Sequence, residues 1–263
     1  MTMKKWSKMK LINGDFRNID WPKNIQTVIV DPPYNIGFNY KSSFKDRLKG
    51  SEYKELIKNM LQKSYEHTNS SGSFFLINYP EIVAELYETI KQTDWQVYQW
   101  INWVYPTNQK AKYKFTRASR CVLWLTKENP KLYIDAVTQP YKNPTDPRVR
   151  KHIENGKTGT HLYDWWEINI VKKGSKQHLG YVNQIPEELL KRLILTTTDE
   201  EDLVVDPMCG TGSTLITANK LNRNAWGCDI NSDLQELWNS FKLNKTISDD
   251  LDEELLTPLF ELS

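Results

Sequence analysis

Two short segments of this 263-residue chain hold side chains of types that do chemistry. The first is Asp31-Pro32-Pro33-Tyr34, directly after the apolar run Thr27–Val30, which has the length of a buried strand. Two prolines fix the backbone angles, remove two N–H donors and hold the preceding acid extended. The loop therefore offers two acceptors, the Asp31 carboxylate and the Pro32 carbonyl, beside the aromatic face of Tyr34. A planar amino group whose two hydrogens need acceptors while its ring stacks on tyrosine fits this arrangement. The exocyclic amine of adenine or cytosine has that shape. A rigid turn exposing a solvated acid is the competing reading.

The second segment runs Asp206-Pro207-Met208-Cys209-Gly210-Thr211-Gly212-Ser213-Thr214, after the short apolar run Leu203–Val205. A strand, an acid and then G-x-G opening a helix make a turn where backbone approaches a ligand closely. The third glycine of dinucleotide enzymes is replaced by Leu215, and no Gly-Lys-Ser/Thr is present, so a P-loop is excluded. Asp229 ends the next strand, 17 residues after Gly212, where an acid suits the two hydroxyls of a ribose. A purely structural turn competes with this reading. The acids on either side of the glycines favour an adenosine-containing cofactor.

These loops need a scaffold, and the hydrophobic pattern supplies one. Strands are predicted at 27–30, 73–77, 97–104, 120–126, 203–205 and 225–228, and helices at 52–66, 80–91, from Pro186, 212–221 and about 232–243. Strands alternating with helices predict an α/β fold with a doubly wound, mostly parallel sheet, whose carboxyl ends face a ligand crevice. Periodicity fails between Lys127 and His178, a stretch too long for an ordinary loop. The expected organisation is a discontinuous catalytic domain (1–126 and 179–248), an inserted recognition segment (127–178) and an acidic tail (249–263).

Charge narrows the partners. The formal charge is +2, but residues 249–263 carry six acids and no Lys or Arg, leaving 35 basic against 27 acidic residues before them. That excess is compatible with a polyanion. Residues 108–120 hold five basic residues and no acid, with Tyr113 and Phe115 interleaved; residues 142–176 hold eight basic against four acidic, with Trp165 and Trp166. Phosphate tracking and base readout are the functional reading, a solvated surface the plain one. Three cysteines without a CxxC pair support neither a disulfide framework nor zinc, and the four scattered histidines suggest no metal. With no apolar run of membrane-spanning length and no secretory h-region, a cytoplasmic location without membrane contact is expected.

Taken together, the motifs resemble those of S-adenosylmethionine-dependent amino DNA methyltransferases. Asp31-Pro32-Pro33-Tyr34 is similar to their catalytic motif and the Asp206–Thr214 segment to their cofactor motif. Catalytic motif first, recognition segment in the middle and cofactor motif last is the order of the β group. The resemblance spans about residues 11–244. Gly14-Asp15-Phe16 resembles the early acidic motif, Gly72–Ile77 the strand after the catalytic helix, Trp103–Asn108 the W-x-x-x-N segment, and Asn183-Gln184-Ile185-Pro186 the T-Q-K-P segment. Met208 replaces the usual Phe, and Asn183 and Ile185 replace the usual Thr and Lys.

The resemblance implies a Rossmann-like methyltransferase fold, S-adenosyl-L-methionine as cofactor and methylation of a base flipped out of double-stranded DNA. Catalysis would fall to Asp31, Pro32, Pro33 and Tyr34. Asp15 and Phe16 would lie on the adenine side of the cofactor, Asp206, Met208, Gly210 and Gly212 on its methionine side, Asp229 at its ribose, and Gln184 would join them. Asn108, Lys110, Lys112, Lys114, Arg117, Arg120, Trp165 and Trp166 would contact DNA. Within the family, Asp at the first motif position leans to adenine N6 and Ser to cytosine N4. Adenine is therefore the expected target and cytosine N4 the alternative, with an RNA methyltransferase or a silent DNA-binding protein less favoured. A homodimer and a cognate restriction endonuclease are compatible partners.

Overall fold

The computed structural model describes residues 8–37, 46–107, 110–175, 177–179 and 183–244, the last five as backbone alone. Asn108, Lys176 and the acidic tail 249–263 lie outside the described residues. The first half contains β1 (Met9–Asn13), β2 (Ile25–Val30), α1 (Gly50–His67), β3 (Thr68–Asn78), α2 (Pro80–Lys91), β4 (Gln96–Val104) and β5 (Ser119–Thr126). Next come the short elements β6 (Thr138–Gln139), α3 (Pro147–Glu154), β7 (Thr160–His161) and β8 (Trp165–Glu167). The chain closes with α4 (Glu187–Thr197), β9 (Leu203–Asp206), α5 (Ser213–Lys220), β10 (Asn224–Asp229) and α6 (Leu234–Asn244).

Eight strands form one sheet in the order β1-β10-β9-β2-β3-β5-β4-β8. All neighbours are parallel except β3–β5 and β5–β4. The mostly parallel α/β architecture expected from the sequence is the one observed. Successive strand residues point to opposite faces. Val28, Val30, Phe74 and Leu76 accordingly pack on one side against Leu56, Ile57, Met60, Leu86 and Ile90 of α1 and α2. Ile29, Phe75 and Ile77 pack on the other against Leu189, Leu193 and Ile194 of α4, with Leu215 and Trp238. Both faces are covered, which explains the unbroken apolar runs.

Some elements depart from the hydrophobic pattern. β3 begins at Thr68, so Ser70-Ser71-Gly72 lies inside a strand and not in a turn before it. A register shift between Ile25 and Thr27 marks the irregularity there. β1 has no strong period because it is a half-exposed edge strand. Within residues 127–178 the chain forms a small β6–β7 pair and α3, and then returns as β8 alongside β4.

The positions of β2 and β9 matter most for function. From β2 the chain crosses through α1 to β3, and from β9 through α5 to β10, which lies on the opposite side. Adjacent parallel strands whose connections leave in opposite directions open a crevice at their carboxyl ends. Asp31 follows one of these strands and Asp206 ends the other.

Candidate active site

Strand register brings the expected residues to one end of the sheet. Val28 pairs with Val205, so the loops after β2 and β9 emerge side by side. Asn13 pairs with Asp229, and the Gly14 N–H donates to the Asp229 carbonyl at 2.9 Å, which carries Asp15 and Phe16 to the same rim. One cleft is lined by Asp15 and Phe16, by Asp31, Pro33 and Tyr34, by Gln184, and by Asp206, Met208, Gly210 and Asp229. Pro32 and Gly212, each a chain neighbour of lining residues, do not themselves line it.

The glycine turn is held by its flanking acids. Asp206 accepts from the Met208 N–H at 3.1 Å and from the Thr214 hydroxyl at 2.7 Å. Asp229 reaches back to accept the Gly210 N–H at 2.8 Å and also takes the Asn231 N–H at 2.9 Å. The Gly210 carbonyl accepts from the Trp238 indole at 3.0 Å. Gly210 and Gly212 have φ of +49° and +82°, left-handed values that side chains disfavour. A Cβ at Gly210 would meet nothing within 4 Å, so its backbone borders open space. Burial pushes the Asp206 carboxyl up to about 7, and Asp229 and Asp31 nearby add to the rise. Burial also raises the Asp229 carboxyl.

Nothing in the sequence marks Gly227 as special. A Cβ there would come within 2.8 Å of the Asp206 carbonyl and of a Leu215 methyl. Leu215 occupies the position of the missing third glycine, fully buried. The close helix–strand approach that a third glycine would provide on the helix is provided here by a glycine on β10.

The proline loop is built around Asp31. The Tyr34 hydroxyl donates to its Oδ1, and Arg120 Nη1 lies 3.8 Å from its Oδ2. Burial raises the Asp31 carboxyl to about 6, against the opposing pull of Arg120 and the Tyr34 hydrogen bond. The Pro33 carbonyl is occupied by the Tyr53 hydroxyl at 2.8 Å, which in turn accepts from Asn78 at 3.1 Å. Among the described residues no donor occupies the Pro32 carbonyl. Tyr34 is buried, with the Tyr79 ring 4.6 Å away in a T-shaped contact. Asp15 makes a bidentate pair with Arg17, whose hydrogen bonds hold its carboxyl below the usual range. Gln184 spends both ends of its amide on its own loop, accepting from the Leu179 N–H and donating to the Gln177 carbonyl.

The residues expected at DNA divide into two groups. Lys110, Lys112, Lys114 and Arg117 are exposed on the loop between β4 and β5, with Tyr113 and Phe115 extended into solvent. Arg117 also pairs with Glu81 and lies over the Tyr79 ring. Trp165 is exposed on β8, but Trp166 next to it points inward and is buried, as strand alternation dictates. Arg120 is 7% exposed beneath the Asp31 loop. Of the residues expected at DNA, Trp166 and Arg120 are thus packed inside and not on the exposed surface.

Comparison with known proteins decides the family. The N6/N4 methyltransferase family, described as DNA methylase, matches residues 25–240. This chain belongs to the N6/N4 DNA methylase family. The methylase is 27% identical over 219 residues to the type II methyltransferase M.HpaI of Haemophilus parainfluenzae, covering 81% of this chain and 67% of that protein. It is also 27% identical over 229 residues to M1.MboII of Moraxella bovis, covering 80% and 86%. Its fold is shared with the PvuII cytosine-N4-specific DNA methyltransferase, at a TM-score of 0.69 and 15% identity over 96% of this chain and 92% of that one. It is shared too with a putative DNA modification methylase of Thermus thermophilus complexed with S-adenosyl-L-methionine, at a TM-score of 0.62 and 16% identity over 91% and 95%.

DNA is the substrate of this methylase, and S-adenosyl-L-methionine is the molecule bound in the Thermus thermophilus structure. The cleft fits that molecule. Its Asp15, Asp31, Asp206 and Asp229 carboxyls suit a ligand bearing a sulfonium and an ammonium, and the open backbone at Gly210 admits close approach. Among the described residues no cluster of His, Cys, Asp and Glu could hold a metal ion. No described helix is long and apolar enough to cross a membrane.

Proposed function

We propose that this methylase transfers a methyl group to the N6 amine of adenine at a short, specific sequence in double-stranded DNA, after the base has been flipped onto Asp31-Pro32-Pro33-Tyr34. One observation carries the reading: Asp31 and Tyr34, joined by a hydrogen bond, both line the cleft at the switch point between β2 and β9, and among the described residues no donor occupies the carbonyl of the intervening Pro32. In this reading Asp31 and the Pro32 carbonyl accept the two amine hydrogens. They draw the nitrogen toward sp³ geometry and free its lone pair for in-line attack. What S-adenosyl-L-methionine would supply when bound is a methyl carbon activated by the adjacent sulfonium; its bond to sulfur would break as the N–C bond forms, leaving a neutral thioether. Once the new N–C bond has formed, Asp31 is placed to take the proton that the methylated nitrogen sheds. Tyr34 supplies the stacking surface for the base.

The cofactor would be held by Asp229 at the ribose, by Asp15 and Phe16 at the adenine, and by Asp206, Met208, Gly210, Gly212 and Gln184 around the methionine. The exposed Lys110, Lys112, Lys114, Arg117 and Trp165 would meet DNA. The type II designation of the bacterial relatives supports a place in a restriction–modification system, beside an endonuclease reading the same site. The test is expression in a host that lacks its own DNA methylation, followed by modification-aware sequencing. N6-methyladenine at one recurring motif is the expected result. N4-methylcytosine would overturn the base assignment, and no modified base with a folded, cofactor-binding protein would overturn the proposal.

A further inference from the structure

Arg120 is the second residue of β5, paired across the sheet with Trp103. Its guanidinium lies over two aromatic rings, 5.0 Å from Trp103 and 5.2 Å from Tyr34. It is buried, and its Nε has no hydrogen-bond partner among the described residues. A buried guanidinium is expensive to desolvate, and a structural ion pair normally recovers part of that through short, bidentate bonds. Here the approach to Asp31 is 3.8 Å, outside hydrogen-bond range. A guanidinium at that distance supplies its field to the carboxylate without occupying the oxygen. Tyr34 meanwhile takes Oδ1, so Oδ2 keeps its lone pairs.

We propose that Arg120 is a positioning residue for methyl transfer: its fixed charge holds Asp31 ionised with Oδ2 open to the target amine, while its planar face braces the Tyr34 ring. The inference rests on the reading of Asp31 as acceptor of the amine. The ionisable groups facing Asp31 come from every neighbouring element. They are Tyr34 in its own loop, Tyr53 of α1, Tyr105 after β4, Arg120 of β5 and Asp206 of β9, with Tyr79 facing Tyr34 and Arg120. Arg120 is the cation in that set. Burial alone would lower its pKa, but Tyr34 and Asp31 outweigh this and hold it above the usual arginine value. An opposite charge this close lowers a carboxyl pKa by roughly 1–3 units.

The test compares Arg120→Met and Arg120→Lys with wild type by single-turnover methyl transfer across pH 5–9, with cofactor affinity measured alongside. Arg120→Met is expected to lose roughly 30–100-fold in transfer at neutral pH, with cofactor affinity within about threefold of wild type. The acid limb of its profile should move up by about one pH unit or more. Arg120→Lys, which keeps charge but not the planar face, should return the limb toward wild type with only partial recovery of rate. An unmoved limb in Arg120→Met, or transfer within about threefold of wild type, would overturn the proposal. If Arg120→Met fails to bind cofactor, Arg120→Lys decides: a wild-type limb supports the proposal and a displaced one overturns it. Asp31→Ala in parallel separates the two readings, because retained transfer there removes the acceptor assignment whatever Arg120 does.

Discussion

The Tyr34 hydroxyl donates to Oδ1 of Asp31, so the residue proposed to stack on the base also orients the carboxylate proposed to accept its amine. One side chain thus has two separable duties. Tyr34→Phe keeps the ring and removes the donor. Losing a hydrogen bond to the charged form raises a carboxyl pKa. The acid limb of the transfer profile should therefore move up, and the rate at neutral pH should fall about tenfold, with DNA affinity little changed. Tyr34→Ala, which removes both duties, should lose at least another factor of about ten. Equal rates for the Phe and Ala variants would show that the ring contributes nothing.

Asp206 gives a pH dependence to cofactor binding. Its carboxyl is pushed up to about 7, so near neutral pH the free enzyme holds it partly protonated. A cationic ligand favours the ionised form, and binding should expel a proton. Affinity for S-adenosyl-L-methionine should then weaken as pH falls from 8 to 6, with proton release visible by calorimetry in buffers of different ionisation enthalpy. Asp206→Asn should abolish most of that release. Release unchanged in the variant would move the effect to another group.

Gly227 should be intolerant of any side chain. Its Cβ would meet the Asp206 carbonyl and Leu215 at 2.8 Å, and backbone cannot step aside. Overpacking of this kind costs roughly 1–3 kcal/mol, so thermal denaturation of Gly227→Ala should show a lowered midpoint. Gly227→Ala combined with Leu215→Ala should recover much of the loss, because the second change vacates one of the two clashing positions. A single variant as stable as wild type would refute the packing account.

Much of this site is legible in the sequence because it rests on local signals. Asp31-Pro32-Pro33-Tyr34 follows a short apolar run, and the two-glycine turn follows another, so each loop announces its own strand end. The order of those strands in the sheet is a long-range property, and the motif order supplies it only through resemblance. Four features are not legible. β1 escapes because a half-exposed edge strand has no clean period. Gly227 escapes because its role depends on a leucine twelve residues earlier in sequence and on a neighbouring strand. Arg120 reads as part of a basic, solvent-facing run; only strand pairing with Trp103 turns it inward beneath Asp31. Trp166 misleads for the same reason, since a Trp-Trp pair on a strand must send one ring to each face.

The central claim is that Asp31 accepts the hydrogen of the target amine, and Asp31→Ala tests it most directly. The substitution leaves both prolines, Tyr34 and the cofactor turn in place. The bond to Asp31 should strengthen as positive charge develops on nitrogen, so its loss should act on turnover and not on binding. Deleting a group of this kind costs roughly 10²–10³ in rate. Single-turnover transfer to DNA should fall at least that far, with S-adenosyl-L-methionine affinity little changed and DNA affinity kept or raised, since a buried carboxylate no longer loses solvation when the site fills. Transfer by the Ala variant within about tenfold of wild type would contradict the account.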